Sequence, residues 1–198
     1  MTTATRQRSE TSEQILDLAE TLIQTRGYSA FSYQDIAEAL GIRKASIHYH
    51  FPSKTDLGVA VIDRYIARFD SALNEIAADQ AQSSMAMLDF YVQPYLQFAG
   101  TPDKVCLSAA LAGEMLALPA EIREKVEHFF RTHQAWLTRI LERGVARGDF
   151  ELQVAPAKVA RMTFGALQGA LLVKRATGDL SQINDVIAVI KLQLAARA

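Results

Sequence analysis

The chain has 198 residues, which is enough for one large domain or two small ones. Hydrophobic residues make up 49% and charged residues 22%, as in an ordinary globular protein, so a wholly disordered chain is excluded. The net charge of -1 indicates neither a nucleic acid nor a membrane as the partner of the whole protein, but it leaves room for a local basic surface.

Apolar residues recur along the chain at helical spacing, and period-two alternation is nearly absent. We therefore predict an all-α protein. Pro102, Pro119 and Pro156 suit first helical turns, and Pro94 predicts a kink inside a helix. The nine predicted helices cover residues 9–26, 33–40, 44–50, 55–78, 83–99, 102–117, 119–147, 156–177 and 181–196.

The second and third predicted helices form a helix-turn-helix pattern from Ser32 to His50. Ser32 followed by Asp35 predicts a capping box at the start, and Gly41 permits the sharp turn between the helices. In such a unit the first helix crosses the phosphate backbone and the second presents its exposed face to the major groove. The pattern therefore predicts a DNA-binding head.

The charge of the stretch RKASIHYHF, residues 43–51, supports this prediction. Between Gly41 and Thr55 there are three full positive charges and no Asp or Glu. The charges belong to Arg43, Lys44 and Lys54. His48 and His50 are two residues apart, so they do not share a helix face, and we expect no metal site there. His50 suits a structural role as well as a DNA-facing one.

These residues resemble those of a known family. The segment ILDLAETLIQTRGYSAFSYQDIAEALGIRKASIHYHFPSKTDL resembles the DNA-binding domain of the TetR family of bacterial regulators, continuously from about Ser9 to Tyr65. The rest of the chain matches only in helix count and in features such as RGDF and FGALQGALL. The resemblance implies a nine-helix, two-domain architecture. A three-helix DNA-binding domain would cover 9–56, with the helix-turn-helix at about 32–51, and a larger ligand-binding and dimerisation domain would cover 57–198.

The resemblance also implies a homodimer that binds a palindromic operator, usually represses transcription and is released by a small-molecule effector. An activator or a constitutive architectural binder is left open. The opening residues MTTATRQRSE carry no secretory signal and no apolar run reaches ~18 residues, so we expect a cytoplasmic protein without a membrane partner. Motifs for phosphate loops, zinc and serine nucleophiles are absent, so an enzyme is a remote alternative, and we expect neither cofactor nor metal.

Several residues match DNA-contacting positions of the family. They are Ser32, Tyr33, Gln34, Arg43, Lys44, Ser46, His48, Tyr49 and Lys54. Ser32 matches a phosphate contact at a helix start, Gln34 a DNA-facing position that could read an adenine edge, and Lys54 the phosphate-binding lysine. The family usually has tyrosine at the position of His48, and here the tyrosine stands at 49. Either His48 replaces that phosphate contact, or Tyr49 reaches the phosphate from a different direction.

Aromatic and polar residues on the fourth to eighth helices are candidates for an effector pocket. They are Tyr65, Phe69, Tyr91, Tyr95, Phe98, Cys106, His133, Trp136, Phe164 and Gln168. For each of them a core position is the alternative. Tyr95, His133 and Trp136 are stronger candidates than the phenylalanines because their polar atoms need partners. The apolar bias of the set indicates a hydrophobic or aromatic small molecule.

The single cysteine, Cys106, excludes an intramolecular disulfide and has two interpretations. It is either a buried small hydrophobe or a sensor of electrophiles or oxidants. Lys104 and the helix predicted to start after Thr101 would both favour a thiolate. Some members of the family sense electrophiles through a cysteine, so a sensor acting through Cys106, instead of reversible ligand binding, is the alternative function.

The last two predicted helices each carry an apolar stripe. The stripes consist of Phe164, Leu167 and Leu171, and of Ile183, Val186, Ile187, Ile190 and Leu194. They predict a two-fold, four-helix dimer interface, with coverage of the domain's own core as the alternative. We expect the long fourth helix to link the two domains, so that an effector could change the separation of the two DNA-binding heads, which must be about 34–36 Å.

Overall fold

A computed structural model of the chain describes residues 3–101 and 103–195, with side chains from residue 10 onward. Within these ranges it contains nine α-helices, one short 3-10 helix and a single isolated bridge between Phe150 and Ala195, so the predicted all-α fold class is confirmed. The helices are α1 (Thr3–Arg26), α2 (Tyr33–Leu40), α3 (Lys44–His50), α4 (Lys54–Ala78), α5 (Ser84–Ala99), α6 (Leu107–Ala112), the 3-10 helix Met115–Ala117, α7 (Ala120–Arg147), α8 (Pro156–Thr177) and α9 (Ser181–Leu194).

Helices α2 and α3 have the predicted boundaries because local sequence sets their ends. The predicted capping box is present at the start of α2, where the backbone N–H of Ser32 donates to Asp35 Oδ2 at 2.7 Å and the Ser32 hydroxyl accepts from the N–H of Gln34. Gly41 ends α2 with a left-handed φ of 64°. A similar Ser53–Asp56 pair caps the start of α4.

Two predicted boundaries are corrected. Helix α1 begins at Thr3 and not at residue 9, since no glycine or proline interrupts the preceding stretch. The sixth helix, predicted from 102, begins only at Leu107. Pro102 lies outside the described residues, and the positive φ of 59° at Asp103 interrupts a right-handed helix.

By its internal contacts the described chain divides into two units. One comprises the residues up to Ile66 together with Leu107–Glu127, and the other Ala67–Cys106 together with the residues from His128 onward. The first unit exceeds the predicted DNA-binding domain of 9–56 because it takes in the start of α4, α6 and the start of α7. The boundary of the DNA-binding domain itself stays a prediction. No helix in the described ranges has the length and apolarity needed to cross a membrane.

The core of the first unit holds the helix-turn-helix against α1 and α4. Ile23, Ile36 and Ile47, one each from α1, α2 and α3, are completely buried. Arg64 of α4 adds ion pairs at 2.8 Å to both Glu13 and Asp17 of α1. The two short helices therefore depend on the longer ones for a core large enough to fold.

The core of the second unit contains a close approach of α7 to the segment that follows it. A Cβ placed on Gly144 would overlap Cδ2 of Phe150, whose side chain is buried. The N–H of Phe150 donates to the carbonyl of Gly144 at 3.2 Å, so the two residues cannot easily separate. Glycine is thus required here by contact with the Phe150 ring.

Replacing Gly144 with alanine should destabilise the protein. Alanine gains about 1 kcal/mol over glycine in a helix interior, but overpacking against a buried ring costs about 1–3 kcal/mol. We expect the overlap to dominate, lowering the free energy of unfolding by about 1–2 kcal/mol in urea titration. In a Phe150→Ala background the same change should instead stabilise. A stabilising Gly144→Ala in the wild-type background would contradict this account.

Candidate DNA-contact surface and effector pocket

Helices α2 and α3 present a surface on which several predicted DNA-contacting residues are exposed. Gln34, Arg43, Lys44, His48 and Tyr49 are exposed, and Ser46 is half-buried at the start of α3. Lys44 and His48 are four residues apart and therefore share a face of α3. No acidic residue occurs between Gly41 and Thr55, so this face keeps the predicted positive charge.

The polar groups at the start of α2 are largely engaged within the unit. The backbone N–H and the hydroxyl of Ser32 both donate to Asp35 Oδ2 at 2.7 Å. A phosphate accepts hydrogen bonds only, so contact with Ser32 would require this capping box to open. The amide nitrogen of Gln34 donates one of its two protons to Glu38 Oε1 at 2.5 Å, which leaves the second proton for a base edge.

Tyr33 does not belong to the exposed surface, which corrects its assignment as a DNA-facing residue. Its side chain is 8% exposed, and its hydroxyl points at the carbonyl oxygens of Phe51 and Ser53 at 2.8 and 2.6 Å. Burial, with a smaller contribution from the Asp56 charge, raises the pKa of Tyr33 to about 12. Tyr33 therefore closes the core between α2 and the segment that follows α3.

Lys54 is partly withdrawn from the surface. Its ammonium donates to the carbonyl of Phe31 at 2.5 Å and lies 4.7 and 4.4 Å from the ring centroids of Tyr28 and Phe31. Burial is the main cause that lowers its pKa below the usual value. An ammonium group has three protons, so the bond to Phe31 leaves donors for a phosphate.

The side chain of His48 is oriented by the loop after α3. Its Nδ1 lies 3.1 Å from the carbonyl oxygen of Pro52. The centroids of the His48 and Tyr33 rings are 4.8 Å apart, in an edge-to-face arrangement. A carbonyl oxygen only accepts, so Nδ1 carries the proton. Tyr49 is 63% exposed, and its ring lies 5.3 Å from that of the half-buried His50.

The second unit contains a cavity of about 290 Å³ between α4, α5 and α7. It is lined by Arg68, Phe69, Ala72, Leu73, Phe90, Tyr91, Gln93, Pro94, Tyr95, Gln97 and His133. This volume is close to the lower end of the range for small-molecule sites, and the aromatic lining is typical of them. Helix α5 continues through Pro94, which has no N–H, so the carbonyl of Phe90 lacks its usual helical partner.

Four of the predicted pocket residues, Phe69, Tyr91, Tyr95 and His133, line this cavity. Three others support its wall from behind. The indole of Trp136 stacks on Tyr91 at 5.3 Å, the Phe164 ring lies 6.0 Å from that of His133, and the Gln168 amide donates to Tyr95 Oη at 3.2 Å.

The remaining predicted pocket residues lie elsewhere. Tyr65 is buried in the first unit, Phe98 is half-buried outside the lining, and Cys106 is buried without lining the cavity. The sequence predicted Cys106 inside the sixth helix, but in the structure this residue directly precedes α6. Sequence reasoning missed Arg68, Ala72, Leu73, Gln93 and Gln97. Neither their residue types nor helical periodicity mark such positions.

Seven of the eight residues predicted for a dimer interface are covered by their own unit, and Val186 is partly open. Helix α9 packs against α8 and α5, and this packing encloses both apolar stripes. Phe164, Leu167, Leu171, Ile183, Ile187, Ile190 and Leu194 are buried, and Val186 is half-buried. The alternative interpretation, that the stripes form the domain's own core, describes the structure.

A helix-turn-helix with a basic recognition helix, followed in the chain by a helical region with a ligand-sized cavity, defines a DNA-binding transcriptional regulator. The family described as bacterial regulatory proteins, tetR family, matches residues 15–61, and the tetracyclin repressor-like C-terminal domain matches residues 85–190. The chain therefore belongs to the TetR family of bacterial transcriptional regulators. Proteins of this family are regulators and not enzymes.

Solved structures of other family members agree with this assignment. A TetR-family regulator from Agrobacterium tumefaciens is 32% identical, with a TM-score of 0.89 over 96% of this chain and 100% of that one. One from Legionella pneumophila is 33% identical, with a TM-score of 0.83 over 92% and 96%. The transcriptional repressor NemR of Escherichia coli K12 is 24% identical over 92% of both chains. The reduced form of E. coli NemR shares the fold, with a TM-score of 0.83 over 96% and 99%.

Proposed function

We propose that the protein is a cytoplasmic transcriptional repressor that binds a palindromic operator as a homodimer and is released by a small apolar effector. The observation that carries the proposal is the exposed, acid-free face of α3 with Arg43, Lys44 and His48. Such a face suits the major groove and its flanking phosphates. The cavity of the second unit is the proposed effector site. Release requires the effector to bind more tightly to the conformation that does not bind the operator.

The proposed partner for the dimer is a second copy, docked on the outer face of α8 and α9. Large apolar side chains remain exposed there, including Met162 at 46%, Val173 at 44%, Val189 at 51% and Leu192 at 78%. Gly165 lies on the same face, and a Cβ built on it would meet nothing within 4 Å, so another helix could approach closely. An exposed apolar face of this kind is typical of an association site, and a two-fold axis would cover it in both copies.

Binding to DNA that flanks the protein's own gene tests the repressor proposal. We expect a sequence-specific, salt-sensitive shift in electrophoresis. Lys54→Ala should weaken binding to operator and random DNA alike and flatten the salt dependence by about one phosphate contact per head. Lys44→Ala should relax sequence preference by about 1–3 kcal/mol at one position if it reads a base. Absence of specific binding across all neighbouring intergenic DNA would refute the proposal.

A second candidate function is sensing of electrophiles or oxidants through Cys106. Burial is the main cause that raises the pKa of Tyr91, and a negative charge on the Cys106 thiol would raise it further. The thiol therefore lies near Tyr91, whose side chain lines the cavity. The second point in favour is that the solved structure of E. coli NemR is described as its reduced form. Cys106 is only 4% exposed, so reaction would require the surroundings of α6 to open.

Treatment of the operator complex with N-ethylmaleimide or hypochlorite separates this second function from reversible ligand binding. If Cys106 is the sensor, operator affinity should fall by about tenfold or more in the wild type and stay unchanged in Cys106→Ser. The assignment is simple for maleimide because the chain has one cysteine. The same loss in both proteins, or no loss in either, would exclude Cys106 as the sensor.

A further inference from the structure

The turn between α1 and α2 is attached to a distant part of the first unit by Glu114, which directly precedes the 3-10 helix. Oε2 of Glu114 accepts a hydrogen bond from the backbone N–H of Ser29 at 2.9 Å, across 85 positions of the chain. Oε1 of Glu114 lies so close to Gly27 that a Cβ on that residue would overlap it. Gly27 also has a left-handed φ of 93°. Glycine at position 27 therefore both forms the turn and leaves room for the carboxylate.

The same turn carries the groups that hold the side chain of Lys54. The ring centroids of Tyr28 and Phe31 lie 4.7 and 4.4 Å from its Nζ, and the carbonyl oxygen of Phe31 accepts a hydrogen bond from it at 2.5 Å. Both rings are buried, and they meet edge to face with their centroids 6.1 Å apart. The position of the Lys54 ammonium group therefore depends on the backbone conformation of residues 28–31.

The carboxylate of Glu114 also acts on Lys54 through its charge. Burial is the largest influence on the pKa of Lys54 and lowers it, while the charges of Glu114 and Asp35 act in the opposite direction. A carboxylate near a DNA-contacting ammonium group repels phosphate. By charge alone, removal of Glu114 should therefore strengthen DNA binding. If the carboxylate instead serves to anchor the turn, its removal should weaken DNA binding, so the two roles predict opposite signs.

We propose that Glu114 is a positioning residue for DNA binding, which anchors the turn at Ser29 and thereby holds the Lys54 ammonium group where it contacts a phosphate. This rests on the proposed function, in which Lys54 binds the DNA backbone. A free lysine side chain loses much rotational freedom when it binds, so a cage that orders it beforehand favours the contact. Ser29 is exposed, so water can replace the lost acceptor and the turn should fold without Glu114. Water does not fix the position of the turn.

A double-mutant cycle between Glu114 and Lys54 tests this role, with DNA affinity measured by fluorescence anisotropy. Glu114→Ala should weaken binding to operator and random DNA alike by about tenfold, and it should flatten the salt dependence as Lys54→Ala does. In a Lys54→Ala background it should change the affinity by less than about twofold. Glu114→Gln keeps an oxygen acceptor for the N–H of Ser29, so its affinity should stay within about twofold of the wild type. Glu124→Ala, at an exposed glutamate of the same unit, is the matched control and should change nothing.

Unchanged or tighter DNA binding by Glu114→Ala would overturn the proposal, as would an equal loss in the wild-type and Lys54→Ala backgrounds. A loss in Glu114→Gln as large as that in Glu114→Ala would assign the effect to charge and overturn it too. Thermal unfolding is measured for each variant, and an unfolded Glu114→Ala would make the residue a structural one. Specific operator binding by a wild type whose affinity does not depend on Glu114 refutes only the role of this residue. Absence of specific operator binding by the wild type refutes the repressor function and this role together.

Discussion

Replacing Val189 with glutamate should separate the proposed dimer into monomers and lower affinity for a full palindromic operator by about 100-fold or more. Val189 lies on the outer face of α9 and is 51% exposed, so the variant should fold. In a two-fold interface the substitution occurs twice, and each buried carboxylate without a partner costs several kcal/mol. A monomer engages one half-site and loses the high effective concentration that the second head contributes.

Val145→Glu is the matched control for this experiment. It makes the same change at a residue that is 45% exposed on α7, outside the proposed interface. Sedimentation should show monomers for Val189→Glu and dimers for both Val145→Glu and the wild type. Fluorescence anisotropy with a full operator and with an isolated half-site should show that Val189→Glu loses affinity only for the full operator. A dimeric Val189→Glu with unchanged affinity would contradict the assignment of this face.

The dimer surface shows what helical periodicity cannot decide. The stripe containing Ile183, Ile187 and Ile190 identified the apolar face of α9 correctly, but periodicity does not say which neighbour covers that face. The structure covers it with α8 and α5 of the same chain. The face left for a partner carries scattered apolar residues among polar ones, including Val189 and Leu192, and these form no strong periodic signal.

Local chemistry explains which other predictions were accurate. The ends of α2 and the capping box of Ser32 and Asp35 depend on a few consecutive residues, so the sequence was sufficient. Tyr33 stands between the exposed residues Ser32 and Gln34, yet tertiary contacts turn its hydroxyl toward the carbonyl groups of Phe51 and Ser53. Residue type selected Phe69, Tyr91 and Tyr95, which line the cavity, but it also selected Tyr65 and Phe98, which do not. Ala72, by contrast, lines the cavity only because of where α4 passes.

The tautomer of His48 bears on how the DNA-contact surface depends on pH. Because Nδ1–H is donated to the carbonyl of Pro52, a neutral His48 has only an acceptor, Nε2, left for the outer side. A phosphate is also an acceptor, so the neutral form cannot donate to it. Only the protonated ring can offer an N–H and a positive charge to the DNA backbone, and such charge-assisted bonds are the stronger ones.

Operator affinity should therefore fall as pH rises, because a neutral His48 has no N–H left to offer a phosphate. The sign follows because the protonated form of His48 is the one that binds, and its population decreases with pH. A hydrogen bond to a charged group contributes about 1.5–3 kcal/mol, so we expect a loss of about tenfold per head and about 100-fold for a dimer with two heads. Anisotropy titrations at constant ionic strength measure this, since phosphate contacts are also sensitive to salt.

Two histidine variants distinguish His48 from its neighbour on the same helix. His48→Gln keeps a polar side chain without a titrating group, and its operator affinity should be low and independent of pH. His50 is half-buried with its ring near Tyr49 and Phe51, so His50→Gln should retain the wild-type pH dependence. If Tyr49 makes the phosphate contact instead, Tyr49→Phe should lose affinity equally at all pH values, while the wild type should show no dependence between pH 6 and 8. That result would assign the contact to Tyr49 and exclude His48.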